Sequence, residues 1–447
     1  MSTAPPPTRS LSLGLAFCLA LIAAASMLYY HQALFIPRAR EVQQSKGLAN
    51  GYSFGNDFYQ IWLTSRELLQ TRQNPYSAEM TRAIQTGLYG RPLDPTRPSD
   101  PIDQRAFPYP AFVDLLFLPA AAIPFPIVRI LACCALGALT IASVLLWLRV
   151  LNWSLNWKWT TLVLLLTLSS YPALEGLYAA QIGLLVSFLL AASVLALQRS
   201  RFVLSGTLLA LTAMKPQVTI LAVLYLLIWN FRSPRATRRF YTGFFGTLAV
   251  LVGAATIVLP HWISSWVHTI LAYRHYTPPP LVAQTLTSWL GPSLAGFATF
   301  LLSVGSIAIA LALAWKNRTA PAQSFSFLLT LTVLLSITAF VILPGLAIYD
   351  HLILIPGILL LFRHRKLLQE AGPIPRLTGF IGALILFWPW MAAFALLCLL
   401  PILSTSVLRS TAVLSLPIRT AASLPFAVLA LLILIWRAIA RKTAAPA

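Results

Sequence analysis

Long apolar stretches separated by short polar loops run through most of the chain. A helix needs roughly 20 residues to cross a bilayer, and a backbone inside hydrocarbon must satisfy its own hydrogen bonds, so each stretch predicts a helix. The pattern predicts about twelve spans, within a range of 10 to 13. They cover 11–36, 126–148, 159–174, 181–197, 202–214, 218–231, 240–259, 288–315, 325–345, 352–362, 377–400 and 422–437. The short stretches at 202–214, 218–231 and 352–362 predict broken or tilted helices.

This pattern predicts an all-α polytopic membrane protein, with residues 1–447 forming one integral membrane domain. The first apolar stretch, 11–36, is too long for a cleaved signal sequence and predicts an uncleaved first span. Composition agrees, because 58% of the residues are hydrophobic and only 10% are charged, against about 25% charged in an average soluble domain. Cys18, Cys133, Cys134 and Cys398 all lie in apolar stretches, so neither a disulfide framework nor a zinc motif is indicated.

The net charge of +21 is distributed as membrane topology requires, and this argues against a nucleic-acid partner. Basic clusters follow every second span, as expected of loops on the cytoplasmic side. Together with Arg9, the clusters near 149–158, 199–201, 232–239, 316–318, 363–376 and 437–442 hold 18 of the 32 basic residues. We therefore expect a multi-pass protein of the cell (inner) membrane with both termini in the cytoplasm.

The alternate loops, predicted to face outward, carry most of the acidic residues. The first outer loop, 37–125, holds 8 of the 11 carboxylates, and the other outer turns place Glu175, Lys215 and Asp350 near the same face. A second outer loop, 260–287, is predicted to contain an interfacial helix with Trp262 and Trp266 in its aromatic belt.

Within the first outer loop, helical spacing predicts an amphipathic helix lying along the membrane interface. Its predicted apolar face carries Phe58, Ile61, Trp62, Ser65 and Leu69, and its polar face carries Gln60, Arg66, Glu67 and Gln70. Asn74-Pro75-Tyr76 is expected to end this helix. The stretch 92–101 is predicted to be irregular, and 107–110 to re-enter the membrane before the second span.

Asp57 is the main catalytic candidate, because an ionisable group at a membrane edge is costly and marks a functional site by default. A carboxylate there can act as a general base towards a substrate hydroxyl. The alternative is an ordinary aspartate that caps the following helix.

Other polar groups lie singly at the ends of apolar stretches on the same side. Lys215 is a candidate phosphate ligand, or a helix anchor that snorkels to the interface. The adjacent Asp350 and His351 could bind a hydroxyl or help to position a phosphate. Glu175 and Gln181 suit hydrogen bonding to a polar ligand, or helix capping.

His261, His268 and His275 repeat every seven residues, a spacing of about 10.5 Å along a helix. Zinc donors lie about 2 Å from the metal, so neighbouring members of this series cannot share an ion on a straight helix. No metal and no cofactor are predicted, and His275 is a candidate contact to a lipid head group.

The order of these pieces resembles that of the polyprenyl-phosphate-mannose-dependent α-mannosyltransferases, which have a GT-C-type fold and include the mycobacterial phosphatidylinositol-mannoside mannosyltransferase. The resemblance covers roughly residues 11 to 362. Its motifs are Asn56-Asp57-Phe58-Tyr59, Asn74-Pro75-Tyr76, Phe107-Pro108-Tyr109-Pro110, Ala180-Gln181-Ile182-Gly183, Ser205-Gly206, Lys215-Pro216 and Tyr349-Asp350-His351. The family's usual Gly-Gln-x-Asn reads Ala180-Gln181-Ile182-Gly183 here, and one histidine stands where two are common.

The resemblance implies a donor made of one sugar on a polyprenyl phosphate, with Asp57 as the base and Lys215 in contact with the donor phosphate. Arg129 is a second candidate for that phosphate. The substrate-binding candidates are Asn56, Tyr59, Tyr109, Glu175, Gln181, His275, Asp350 and His351.

We therefore expect a membrane glycosyltransferase that moves one sugar, mannose or another hexose or pentose, to a lipid or glycan hydroxyl with inversion. Its partners would be the lipid-linked donor, the acceptor and membrane lipids. The alternative is a polytopic transporter or a flippase for lipid-linked sugars, which would place paired charges near mid-membrane and often show inverted repeats. A non-catalytic assembly protein would need none of the residues singled out here.

Overall fold

The computed structural model describes residues 13–49, 52–229, 234–276, 281–345, 347–420 and 423–444. The side chains at 234–237, 274–276 and 440–444 also fall outside the described set. Arg9, Arg232 and the side chain of His275, all of which entered the predictions above, therefore lie outside the described residues.

The described residues form helices joined by turns and irregular segments, and their only β pairing is an isolated bridge between Leu281 and Pro344. The first ten α-helices are α1 Leu13–Tyr29, α2 Ile36–Ser45, α3 Asn56–Gln70, α4 Ala78–Tyr89, α5 Phe112–Ala121, α6 Phe125–Val150, α7 Trp157–Leu168, α8 Tyr171–Ala179, α9 Gly183–Gln198 and α10 Phe202–Leu211. The others are α11 Pro216–Trp229, α12 Pro234–Val258, α13 Trp262–Tyr276, α14 Val282–Thr287, α15 Pro292–Lys316, α16 Phe325–Val341, α17 Ile355–Arg363, α18 Arg365–Glu370, α19 Pro373–Leu399, α20 Thr405–Ser410 and α21 Leu424–Ala444.

The all-α membrane architecture is confirmed, and every predicted span contains a helix. Five helical segments are long and apolar enough to cross a membrane: Leu13–Ser45, Phe125–Val150, Arg238–Val258, Pro292–Lys316 and Pro373–Leu399. A sixth span results if α7 and α8, which meet at an angle of 61°, are counted as one. Most of the remaining predicted spans are apolar helices of 10–17 residues, among them those at the short stretches 202–214 and 218–231.

Two predicted spans differ from the observed helices. The first contains a π-helical turn, Tyr30–Phe35, and continues beyond residue 36 as α2. The helical segment therefore extends to Ser45. The third, expected as one helix over 159–174, is broken at Ser169. The side chain of Ser170 accepts a hydrogen bond from the backbone N–H of Ala173 and so caps a new helix, α8.

Helices α10 and α12 pack closely through two glycines. A Cβ atom at position 206 would overlap the carbonyl oxygen of Phe240, and one at position 243 would overlap that of Val203. Because small residues let two backbones approach, the two glycines allow α10 and α12 to lie in close contact. Helix α9 packs against both α10 and α6. The turn between α8 and α9 therefore lies inside the bundle.

The predicted first outer loop is folded, with α3 packed on α5 and α4 beside them. The apolar face of α3 was predicted correctly at Phe58, Ile61 and Trp62, which are buried. Leu69, at the end of the same face, is 58% exposed, and its neighbour Leu68 is buried. Gln60, assigned to the polar face, is also buried, since α3 is covered on more than one side. The stretch 92–101 is irregular, as predicted.

A 3₁₀ segment, Ile348–Leu354, connects α16 to α17 and packs against α8 and α9. This packing brings the late acidic residue Asp350 to the same end of the bundle as the α8–α9 turn. Residues from widely separated parts of the sequence therefore converge there.

Candidate active site

Asp57 lies in the first turn of α3, directly after a turn that requires glycine. Gly55 has a φ of 81°, in the left-handed region, and a Cβ atom there would lie 2.9 Å from the Cβ of Arg129 on α6. The Gly55 N–H donates to the carbonyl oxygen of Tyr178 at 2.8 Å. The turn is thus fixed against α6 and α8, and it sets the direction in which Asp57 leaves the helix.

The carboxylate of Asp57 is held by two donors from distant parts of the chain. Arg105 Nη1 lies 3.1 Å from Oδ1, and Gln181 Nε2 donates to Oδ2 at 2.7 Å. The side chain is only 13% exposed. Asp57 therefore makes long-range contacts instead of the local capping contact that was the alternative.

Burial sets the protonation behaviour of Asp57. Removal from water disfavours the carboxylate and raises its pKa above the ordinary value, while the positive charges of Arg105 and Lys215 act in the opposite direction. A carboxyl group with a raised pKa and a fixed orientation is suited to accept a proton.

Arg105 was missed in the sequence, where it is one of several arginines in an irregular stretch. Its φ is 55°, and its backbone N–H donates to Asp103 Oδ1 at 2.9 Å, so an aspartate turn holds it in the left-handed conformation. Its Nε donates to the hydroxyl of Tyr89 at 3.2 Å. The signal available in the sequence was the Asp-x-Arg spacing, which is too common to identify the residue alone.

Gln181 is oriented by a second side chain. Tyr109 donates its hydroxyl hydrogen to Gln181 Oε1 at 3.2 Å, which leaves the amide nitrogen directed at Asp57. Ala180, at the end of α8, has a φ of 52° and turns the chain so that Gln181 faces the site. The motifs containing Tyr109 and Gln181 therefore meet at Asp57.

Lys215 and Asp350 form a buried ion pair with an Nζ–Oδ1 distance of 2.7 Å. Their side chains are 7% and 2% exposed, and Nζ also lies 4.8 Å from the centre of the Tyr349 ring. Burial raises the pKa of Asp350, and the neighbouring ammonium of Lys215 opposes that rise. The anchoring alternative for Lys215 does not describe this arrangement, because a snorkelling lysine extends towards water.

Gly183 explains why the asparagine of the related motif is missing here. A Cβ atom at position 183 would overlap Asp350 Oδ1 and would lie 3.5 Å from Lys215 Nζ. The ion pair occupies the space that a side chain at this position would need. Glycine at the start of α9 is therefore a condition for the Lys215–Asp350 contact.

Glu175 contacts protein side chains through both of its oxygens. His31 Nε2 lies 3.0 Å from Oε2, and the Tyr52 hydroxyl makes a short hydrogen bond to Oε1. His31 is fully buried in the π-helical turn after α1, an irregularity that is frequent at functional sites. In this conformation Glu175 ties the first span to the segment that precedes Asp57.

Arg129 lies near the N-terminus of α6, with its guanidinium 5.7 Å from the ring centre of Phe54 and 5.9 Å from that of Phe125. Its Nε is buried, and no hydrogen bond or salt bridge to it occurs among the described residues. An arginine held by aromatic rings without an acidic partner retains its capacity for an anion.

The other predicted residues lie either close to Asp57 in α3 or beside a separate cavity. Asn56 is buried beside Asp57, and its Oδ1 has no partner in the described structure, whereas Tyr59 packs against Trp62 and Phe125. His351 is buried next to Asp350 and lines a separate apolar cavity that Asp57 does not line. No group of three or more histidine, cysteine or acidic side chains in the described ranges is placed to hold a metal ion.

Comparison with known proteins gives one match. The sequence pattern of glycosyltransferase family 87 matches residues 107–344, more than half of the chain. No curated protein and no solved structure matches. The matched range contains Tyr109, Gln181 and Lys215, whereas Asp57 and Asp350 lie on either side of it. The predicted glycosyltransferase class is thereby confirmed, and the chain belongs to glycosyltransferase family 87, a family of membrane glycosyltransferases.

Proposed function

We propose that this glycosyltransferase moves a single sugar from a polyprenyl-phosphate donor to a hydroxyl of a lipid or glycan acceptor, with Asp57 as the general base. The observation that carries the proposal is the Asp57 carboxyl group itself. It is buried, and each of its oxygens accepts a hydrogen bond, one from Arg105 and one from Gln181. The candidate site also contains the buried ion pair of Lys215 and Asp350. Its raised pKa suits proton abstraction from an alcohol.

In the proposed reaction, Asp57 takes the proton of the acceptor hydroxyl as the acceptor oxygen attacks the anomeric carbon. The bond from that carbon to the phosphate oxygen breaks, and the polyprenyl phosphate leaves with the bonding electrons. Attack from the face opposite the phosphate inverts the configuration. Asn56 Oδ1, which is buried without a partner in the described structure, is a suitable acceptor for a substrate hydroxyl.

The leaving phosphate gains negative charge as the bond breaks, and a preorganised cation would stabilise it. Lys215 and Arg129 are the proposed contacts. Lys215 would exchange part of its interaction with Asp350 for the phosphate, and Arg129 has no competing carboxylate among the described residues. Tyr109 and Gln181 support the reaction by orienting Asp57.

Mannose, or another hexose or pentose, is the proposed sugar, on the basis of the motif order described above. His351 and Glu175 would lie close to the bound substrates. Glu175 would act indirectly, through its hydrogen bonds with Tyr52 and His31. Tyr59, on α3, would stabilise the turn that carries Asp57. His275 is the proposed contact to a lipid head group, and its side chain lies outside the described residues.

The proposed orientation puts the site on the periplasmic or outer face, with both termini in the cytoplasm. It rests on the basic clusters between the spans. Single cysteines introduced into a cysteine-free protein would test it: Thr96→Cys should react with an impermeant maleimide added to intact cells, and Ser233→Cys should not. The reverse labelling pattern would place the site on the cytoplasmic face.

Donor use is tested with purified protein, synthetic polyprenyl-phosphate-mannose labelled in the sugar, and a membrane lipid extract as acceptor. We expect labelled glycolipid, and none from a nucleotide sugar supplied instead. Translocation of the labelled donor across vesicles without any transfer would favour the flippase alternative. Transfer from the nucleotide sugar alone would contradict the polyprenyl-phosphate donor.

A further inference from the structure

An apolar cavity of about 690 Å³ lies among α7, α8, α17 and α19. Aliphatic side chains form most of its wall, with Leu162 and Val163 on α7, Ile358 on α17 and Ile385 on α19. Its volume is in the range of cavities that hold small molecules. The reaction proposed above does not use it.

The two ends of the cavity differ in chemistry. Ser170, Tyr171 and His351 lie at the end nearer to the candidate active site, whereas Trp153 and Arg365 lie at the opposite end. Trp153 belongs to the loop before α7, and Arg365 begins α18, within two basic loops that are predicted to be cytoplasmic. Tryptophan and arginine at the membrane–water boundary are typical contacts of lipid head groups.

Arg365 is available to an anion at this end. Its Nη1 donates to the carbonyl oxygen of Phe362 at 3.1 Å, and no carboxylate pairs with it in the described ranges. A guanidinium presents several donors in one plane, which match the oxygens of a phosphate. Arg363 and Lys366 are its neighbours in sequence and add positive charge to the same loop.

A cavity walled mostly by aliphatic side chains suits an apolar ligand better than water. We propose that this cavity is a binding site for one anionic glycerophospholipid of the cytoplasmic leaflet. One acyl chain lies between α7, α17 and α19, and the phosphate contacts Arg365. The donor lipid does not suit this arrangement, because its phosphate would have to lie at the opposite end.

The test is lipid retention by the purified full-length protein, measured by native mass spectrometry in micelles that contain phosphatidylglycerol or phosphatidylcholine. The wild-type protein should retain one phosphatidylglycerol, with an affinity about tenfold above that for phosphatidylcholine, as one charge-assisted contact would give. Arg365→Gln should remove this preference, and Ile358→Trp should prevent retention of either lipid by filling the cavity.

Two matched controls separate the site from general effects. Arg363→Gln removes a neighbouring charge that does not line the cavity, and Ile381→Trp adds the same bulk to the exposed face of α19. Both should behave as wild type. Equal retention of the two lipids by the wild-type protein, or undiminished retention by Ile358→Trp, would overturn the proposal. Displacement of phosphatidylglycerol by added polyprenyl phosphate would assign the cavity to the donor and overturn it as well.

Discussion

The amide nitrogen of Gln181 donates to Oδ2 of Asp57 at 2.7 Å, joining residues 124 positions apart in the sequence. Arg105 supplies the corresponding donor to Oδ1. Each carboxylate oxygen has more than one acceptor direction, so these two bonds orient the group and leave it able to accept a proton. If this carboxylate is the reacting base, the groups around it serve to orient it and to set its charge.

Replacing the carboxylate by its amide tests the base directly. Asp57→Asn keeps the size of the side chain but cannot accept the proton, so we expect the initial rate of sugar transfer to fall by about 10²-fold or more. The protein should still insert and should elute as wild type on size exclusion. Glu79→Gln, an exposed acid of the same outer loop, is the control and should be fully active. Transfer close to the wild-type rate by Asp57→Asn would exclude it as the base.

The pH dependence of transfer should report the charge of Arg105. Asp57 acts when it is deprotonated, so the rate should increase as the pH rises through its pKa. Burial raises that pKa and Arg105 lowers it, so Arg105→Gln should displace the profile of kcat/KM to higher pH. Arg105→Lys, which keeps the charge, should lie nearer to wild type, and Arg97→Gln on the exposed part of the same loop should have no effect. An unshifted profile in Arg105→Gln would show that this ion pair does not tune the base.

The Lys215–Asp350 pair can be separated into a stability effect and a donor effect. Removing one partner of a buried pair leaves an uncompensated charge and costs about 3–5 kcal/mol, whereas replacing both by apolar residues is often nearly neutral. Lys215→Met should therefore lower the thermal unfolding midpoint, and the further change Asp350→Leu should restore it.

The same double variant tests the proposed phosphate contact. If Lys215 binds the donor phosphate, the restored protein should still show a raised KM for the polyprenyl-phosphate sugar. A wild-type KM in a stable double variant would leave the pair with a purely structural role.

Ala180 should be a position where glycine stabilises the protein. An L-residue in the left-handed region costs about 1–2 kcal/mol, and the extra backbone entropy of glycine offsets about 0.5–1 kcal/mol of that. With its φ of 52°, Ala180→Gly should raise the unfolding free energy by up to about 1 kcal/mol, as seen in a higher thermal midpoint. Ala179→Gly, inside α8, should lower it. A lower midpoint for Ala180→Gly would mean that its methyl group contributes more through packing than the strain costs.

Much of the fold followed from hydropathy, because a bilayer leaves few conformations for an apolar stretch. Every predicted span contains a helix, and α3 was recognised by the spacing of Phe58, Ile61 and Trp62. The burial of Leu68 and the exposure of Leu69 at its end could not be predicted, because they depend on what packs beside the last turn and not on periodicity alone. The break at Ser169 between α7 and α8 likewise depends on local capping that hydropathy does not register.

The candidate residues could be identified one by one in the sequence, but their arrangement could not. Asp57, Lys215 and Asp350 were conspicuous as charges at the ends of apolar stretches, and that scarcity is visible in the sequence. The pairing of Lys215 with Asp350, and of Asp57 with Gln181, depends on how α8, α9 and the 348–354 segment pack. Arg105 offered no comparable signal, since an arginine in a polar outer loop is ordinary until its acidic partner is known.

The wide separation of these partners has a consequence for biosynthesis. A ribosome that has synthesised only the first 150 residues has already made Asp57 and Arg105, but Gln181 has yet to be made. Asp350, the partner of Lys215, is translated 135 residues after it. Chain growth therefore exposes the base long before its full surroundings exist, and a fragment that ends before Asp350 has no means of assembling the complete charge arrangement.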